Sequence, residues 1–395
     1  MPRRPLVVAV ALAATSTVAQ GLARFGYGLV LPVMREDLGW SYATAGSLST
    51  ANAVGYLVGS VGALAVARRL GAVLAFRVTV LAVVLTVAAG ALTGDLAVQL
   101  VLRFLAGATS AVAFVLAAAV ASRLRTADGR SGPFLAVYFA GAGAGIVLSG
   151  VFVPLAAAAA SSPAEAWRYA WPALAVPAVL LLPVMWWAFR ESDLPPAASA
   201  RDRSALRRIS PLVASYTLFG VGYIGYMTFV PDLLRGQGLG DAGIAAFWIA
   251  LGLASVVVTP LGAPLLRHLP PAAGVAGLLA ATAVAGALPV LVGGVGAAWI
   301  SGIVFGASFL TAITALADAA RRVLDPRHWT ASLAVLTTGF ALGQCLGPVL
   351  SGLVSDAGGG LETGLSVSAG VLGVAALVGL LQRTPRTERV GNSAP

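Results

Sequence analysis

Residues 26–32 read GYGLVLP, and residues 225–231 read GYMTFVP, so Gly26, Tyr27 and Pro32 have counterparts in Gly225, Tyr226 and Pro231, each 199 residues further along the chain. Working outward from these stretches, the same spacing pairs Arg68 with Arg267, Gly107 with Gly306 and Arg123 with Arg322. A constant offset over so long a span marks an internal duplication. Each copy holds six apolar segments, and paired copies in a membrane protein commonly face each other across a pathway.

The chain has 395 residues, of which 58% are hydrophobic and 10% charged, with a mean hydropathy of +0.90. So few charges cannot clothe a soluble domain of this length. The sequence therefore predicts an all-α membrane protein. Windows of about 20 apolar residues, enough to cross a hydrocarbon core, give twelve helices, over 6–33, 43–67, 71–92, 96–121, 132–158, 168–189, 210–233, 242–266, 271–293, 296–319, 328–355 and 361–382. They divide into a six-helix bundle over 1–189, a cytoplasmic linker over 190–209, a second six-helix bundle over 210–382 and a tail over 383–395. The linker is rich in Arg, Asp, Pro, Ser and Ala, as expected of a tether between domains that move relative to each other.

All 25 basic residues are arginine. With the N-terminus inside, three lie outside (Arg35, Arg168, Arg235), two lie within helices (Arg24, Arg103), and the others lie on the inner side. This asymmetry predicts both termini in the cytoplasm and a location in the cytoplasmic membrane. It also accounts for the net charge of +10 without a nucleic-acid partner. The apolar run that follows Arg3 and Arg4 continues to Val33, too far for a secretory leader, and reads as the first spanning helix. One cysteine, Cys345, excludes an internal disulfide.

Glycines crowd the helices, as at Gly141, Gly143 and Gly145. With no strand before them they read as close helix packing rather than as a dinucleotide loop. The 15 carboxylates divide between outer ends, such as Asp232 and Asp356, and the inner side, leaving none for a mid-membrane ion relay. His268 and His328 fall at separate inner helix ends. No clustered nucleophile, acid or metal ligand is present, so the sequence predicts neither an enzyme, a cofactor nor a metal site.

Two charges remain that topology does not explain. Arg24 and Arg103 share a depth of roughly 12 Å from the outer helix ends, where a charge needs water, a polar partner or an anion. Gln20, Arg24 and Tyr27 form one polar stripe at helical spacing. Arg103 has two readings, a substrate contact and a donor to carbonyls of a neighbouring helix. Further substrate-contact candidates are Asn52, Tyr138, Tyr223, Tyr226, Trp248, Thr311 and Gln344, each of which could equally serve packing. Asp318 and Arg322 stand at the spacing of a helical ion pair and read as a gate or structural contact near the inner face.

The twelve spans, central linker and six-plus-six repeat resemble the major facilitator superfamily over essentially the whole length. Gly62, Arg68, Arg69 and Gly71 resemble its basic loop motif without the usual Asp, and Gly262 to Arg267 keeps only the arginine. Arg103, Gly107 and Ala111 are similar to the motif whose arginine is linked to proton-coupled cycles. Gly141, Gly145 and Gly150 resemble the antiporter motif, but Ile146 replaces its proline. ARFGYGLVLPVM (23–34) and GQCLGPVLSG (343–352) look most like the YbfB/YjiJ branch. The resemblance implies gating or coupling roles for Arg68, Arg69, Arg103, Arg267, Asp318 and Arg322, and coupling to protons.

The expected function is secondary transport of a small solute, an organic anion, by a monomer working through alternating access. Efflux of amphipathic drug-like compounds is the alternative within the class. A non-transporting receptor or scaffold on the same fold is the alternative outside it.

Overall fold

In lipid a backbone must satisfy its own N–H and C=O groups, and apolar segments of this length do so as helices. The computed structural model describes residues 4–126, 132–162, 164–190, 207–266, 268–325 and 328–383, and among them every regular element is helical. These are α1 (Pro5–Leu38), α2 (Tyr42–Leu70), α3 (Ala72–Ala89), α4 (Leu96–Ala121), α5 (Gly132–Ala157) and α6 (Ala166–Ala188), then α7 (Ser210–Gly236), α8 (Asp241–Leu266), α9 (Pro271–Leu291), α10 (Gly294–Val323), α11 (Trp329–Val354) and α12 (Gly360–Leu380). Local chemistry sets several ends. Gly39, at φ 63°, closes α1, the Ser41 hydroxyl accepts from Thr44 N–H to open α2, and Asp95 accepts from Val98 N–H to open α4.

The number of separate apolar runs differs from expectation. Eleven are long and apolar enough to span a membrane, not twelve, because the last is a continuous stretch of 49 residues, Ser332–Leu380. Within it, Gly358 takes φ 113°, which breaks the winding between α11 and α12. Both helices lie against the same turns of α7: Phe340 and Gln344 border Gly220, while Ser368 and Leu372 border Gly222. The chain therefore reverses at this point inside one continuous apolar run, between the two spans expected over 328–355 and 361–382.

α1–α6 pack mainly with one another, as do α7–α12, and the two groups meet along α2–α11, α5–α8 and the second half of α1 with α7. Close approach at α5 needs glycine. A Cβ on Gly145 would lie 2.3 Å from the Thr17 carbonyl oxygen and 2.6 Å from Gly21 Cα. Outward faces carry exposed Leu155, Leu180, Val257 and Leu377, as suits contact with lipid.

α1 is not uniformly wound. Over Thr17–Phe25 its turns widen to π geometry, ending where Gly26 N–H donates to the Gly21 carbonyl, five residues back, at 2.8 Å. Such segments concentrate at functional sites. The linker between 191 and 206, the tail from 384 to 395, and Arg267 lie outside the described residues.

Candidate functional site

A cavity of about 140 Å³ lies where the two helix groups face each other. One wall comes from α1 (Ser16, Gln20, Arg24, Phe25), α2 (Tyr56), α4 (Phe114) and α5 (Phe139, Ala142). The other comes from α7 (Tyr216, Tyr223), α10 (Leu310, Ile313) and α11 (Thr337, Phe340, Gln344). The first wall carries the charge and the second is largely aromatic.

Arg24 projects from the π-wound turn, where it is 6% exposed. Among the described residues no hydrogen bond or ion pair reaches its guanidinium, and Nη2 is enclosed without a partner. Its one specific neighbour is the Tyr56 ring, whose centroid lies 5.1 Å from Cζ. Across the cavity, the Gln344 amide donates to the Tyr223 hydroxyl and leaves its own Oε1 without a partner. Tyr223 stacks with Phe219, Phe309 and Phe340, at centroid distances of 5.0, 6.1 and 5.4 Å.

Arg103 sits behind this cavity. Its Nη1 donates to the Ala23 carbonyl at 2.6 Å, and its Cζ lies 4.8 Å from the Tyr27 ring and 5.7 Å from the Trp171 ring. It meets Arg24 only at a gap of about 10 Å³, room for one water. The Nη1 bond is the one expected of a donor to a neighbouring helix's carbonyl, while Nε and Nη2 of Arg103 are buried without a hydrogen-bond partner among the described residues.

The polar stripe expected on α1 is divided. Gln20 and Arg24 line the cavity, but Tyr27 turns away, donating to the Ala45 carbonyl at 2.9 Å and stacking on Trp171. The wider π turn is the physical cause, since it changes the angle between residues that uniform winding would superpose.

Of the other candidates, Tyr223 and Gln344 reach the cavity and the rest are placed elsewhere. Asn52 donates to the Arg103 carbonyl, and Tyr138 donates to the Phe114 carbonyl. Tyr226 bonds Ser301 and stacks on Phe305, while Thr311 donates to the Ala307 carbonyl of its own helix. Trp248 donates to Ser149 at 3.0 Å, joining α8 to α5. Arg68 and Arg69 are exposed at the end of α2, and Asp318 pairs with Arg322 at 2.6 Å.

Sequence reasoning missed Tyr56, Tyr216 and Phe340, which line the cavity, although a signal was present. Tyr216 precedes Tyr223 by seven residues and Phe340 precedes Gln344 by four, spacings of a shared helix face, whereas Asn52, four before Tyr56, turns to the Arg103 carbonyl.

The cavity is sealed toward one end. Arg35 Nε pairs with Asp232 Oδ2 at 2.9 Å, Thr228 bonds Ser49, and Thr50 donates to the Cys345 carbonyl. The Asp356 carboxylate accepts from Tyr42 and Ala43 N–H at 2.9 and 2.8 Å, capping α2 from the other helix group. Asp232, read from sequence as an outer-end charge, is in fact buried in this seam at 7% exposure. Toward the opposite end Thr337 is exposed. The cavity opens that way, since Thr337 lines it.

Two helix groups around a central cavity fit a transporter, and the sequence comparison decides the family. The profile described as "Uncharacterised MFS-type transporter YbfB" matches residues 16–380. The chain belongs to this YbfB-type family of the major facilitator superfamily. No curated protein matches the sequence significantly. Among solved structures, this MFS transporter is similar to a bacterial homologue of the human lysosomal transporter Spinster in an inward-facing, occupied conformation, with TM-score 0.76, 16% identity, and coverage of 96% of this chain and 97% of that one. It is also similar to a D-xylose–proton symporter (0.74, 13%, 97% and 98%) and to the nucleoside transporter NupG (0.69, 14%, 95% and 98%). At these identities the likeness shows the MFS fold. The resemblance read from ARFGYGLVLPVM and GQCLGPVLSG is thus confirmed, and family and neighbours alike are transporters rather than enzymes.

Proposed function

We propose that this MFS transporter carries a small organic anion across the cytoplasmic membrane by alternating access, as a monomer that crosses the bilayer twelve times with both termini inside. One observation carries the anion: Arg24, deep in the fold, faces the cavity with no hydrogen bond or ion pair to its guanidinium among the described residues. An unpaired buried cation is costly, and a carboxylate offers the strongest compensation because it matches the guanidinium fork. Gln20, Tyr223 and Gln344 complete the binding set in this reading. Arg103, Tyr27 and Asn52 hold α1 in place, while Tyr138, Tyr226, Trp248 and Thr311 pack.

The arginine asymmetry supports the orientation, which makes the Arg35–Asp232 end the outer one and this conformation open toward the cytoplasm. Asp318–Arg322, Arg68 and Arg69 then belong to the inner mouth, and Arg267 keeps the gating role that the repeat suggests. Proton coupling rests on the family. Transport in sealed vesicles that ignores a collapsed proton gradient would make the protein a facilitator.

The drug-efflux alternative is less well supported, because a cavity of about 140 Å³ is below the ~300–1,000 Å³ of drug-sized sites and a lone arginine repels cations. No feature among the described residues favours the receptor alternative. Uptake of organic acids into proteoliposomes by wild type and Arg24→Ala tests the proposal. Loss of transport in the variant is expected, and unchanged transport of every responsive solute would end it.

A further inference from the structure

We propose that the cavity takes a monocyclic aromatic carboxylate whose ring carries a hydrogen-bond donor such as a hydroxyl. This rests on the organic-anion reading above and specifies its chemical class from four features of the cavity.

Size comes first. An apolar cavity of about 150 Å³ holds a single benzene ring, and this one measures about 140 Å³, so one ring with a small substituent fills it, and a fused second ring would have to extend into its open end beside Thr337. Charge is the next feature. The Tyr56 ring lies against Arg24, leaving the guanidinium N–H groups for a bidentate carboxylate.

Shape separates flat ligands from puckered ones. On the α7–α11 wall, Tyr216 and Phe340 lie 4.3 Å apart with planes 17° from parallel, and Tyr223 and Phe340 lie 5.4 Å apart at 10°. Rings sharing one orientation make a surface against which another flat π-system stacks. A saturated ring of the same charge would keep the anion contact and lose this one.

Unused polar atoms supply the last feature. Gln344 is 1% exposed, and its Oε1 has no hydrogen-bond partner. Ser16, fully buried on the opposite wall, also has an unpartnered Oγ. Both line the cavity. Enclosed acceptors without donors are costly in the empty state, and a ring hydroxyl relieves that cost.

Isothermal titration of the purified full-length transporter in nanodiscs tests the assignment, with 3- and 4-hydroxybenzoate, benzoate, cyclohexanecarboxylate, 2-naphthoate and benzyl alcohol as probes. Benzoate should bind about tenfold tighter than cyclohexanecarboxylate, and the better hydroxybenzoate about tenfold tighter again. Gln344→Ala should bring the affinity ratio of the better hydroxybenzoate over benzoate from about tenfold to about one, whatever its effect on benzoate itself. Arg24→Gln should cost every carboxylate about a hundredfold, with Arg24→Lys retaining part of the affinity; both are compared at matched monodispersity and melting temperature.

Cyclohexanecarboxylate binding as tightly as benzoate, with Arg24 still required, overturns the aromatic class and spares the anion reading. Naphthoate binding as well as benzoate overturns the size argument, and hence the monocyclic assignment. Carboxylates that do not bind, or that bind regardless of Arg24 while benzyl alcohol binds, overturn both readings.

Discussion

Arg35 Nε donates to Asp232 Oδ2 at 2.9 Å, joining α1 to α7 across 197 residues of sequence. The pair is the one direct ion pair between the two helix groups among the described residues. Its carboxylate side chain is 8% exposed and its arginine 24%, so it lies where removing one partner strands the other. Asp232→Ala should weaken the seal by about 2–5 kcal/mol, and Arg35→Ala/Asp232→Ala by less, because no charge is then left alone. A cysteine placed at Thr228 in a Cys345→Ala background reports the change. Its modification by an impermeant thiol reagent should quicken most in the Asp232 single variant.

The two membrane arginines should separate by stability. Among the described residues no hydrogen bond or ion pair reaches the Arg24 guanidinium, so Arg24→Ala removes a poorly compensated charge, and the melting temperature of the ligand-free protein should hold or rise. Arg103 donates to the Ala23 carbonyl, so Arg103→Ala should lower stability by about 1.5–3 kcal/mol. Thermal unfolding of both variants, followed by tryptophan fluorescence, decides between these roles. Equal destabilisation would place Arg24 in the structural class.

Gly145→Ala puts a methyl group against backbone, 2.3 Å from the Thr17 carbonyl oxygen. Backbone cannot rotate out of the way, and overpacking of this kind costs about 1–3 kcal/mol. A melting shift near zero would mean that α1 and α5 can part without penalty.

Trp248 and Ser149 should couple. Their hydrogen bond of 3.0 Å joins α8 to α5, and a double-mutant cycle with Trp248→Phe and Ser149→Ala should return about 0.5–1.5 kcal/mol. Additive effects would show that packing alone holds this seam.

Gly358→Ala forces a side chain into φ 113°, at a cost of about 1–3 kcal/mol. The readout is again the melting temperature, with Gly277→Ala as control, since that helical glycine has open space at its Cβ position.

The fold was legible because hydrophobicity alone determines which segments lie in lipid. The single departure, eleven apolar runs instead of twelve, is the continuous run Ser332–Leu380, in which the two spans separated in the sequence are joined through the turn at Gly358. The cavity was legible in part. Gln20, Arg24, Tyr223 and Gln344 stood out as polar residues in apolar helices. Tyr216 and Phe340 did not, because aromatic residues in a membrane helix resemble ordinary packing until a facing wall is known. The geometry around Arg103 was open for a different reason: its partner is a carbonyl, which every residue has. Arg35 and Asp232 read as outer-side charges, and sequence carries no sign of the seam between them.

The widened turns at Thr17–Phe25 have a consequence for chain length. Wide turns hold more residues per revolution than α-helical ones, so deleting one residue there and letting the rest rewind would lose rotation at one position and regain most of it at the others. Leu31 and Met34 beyond Gly26, and Ser16 before the segment, would then keep nearly their present facing, while Gln20 and Arg24 inside it would be re-aimed. A one-residue gap at this point in a relative therefore signals a moved charge within the same wall.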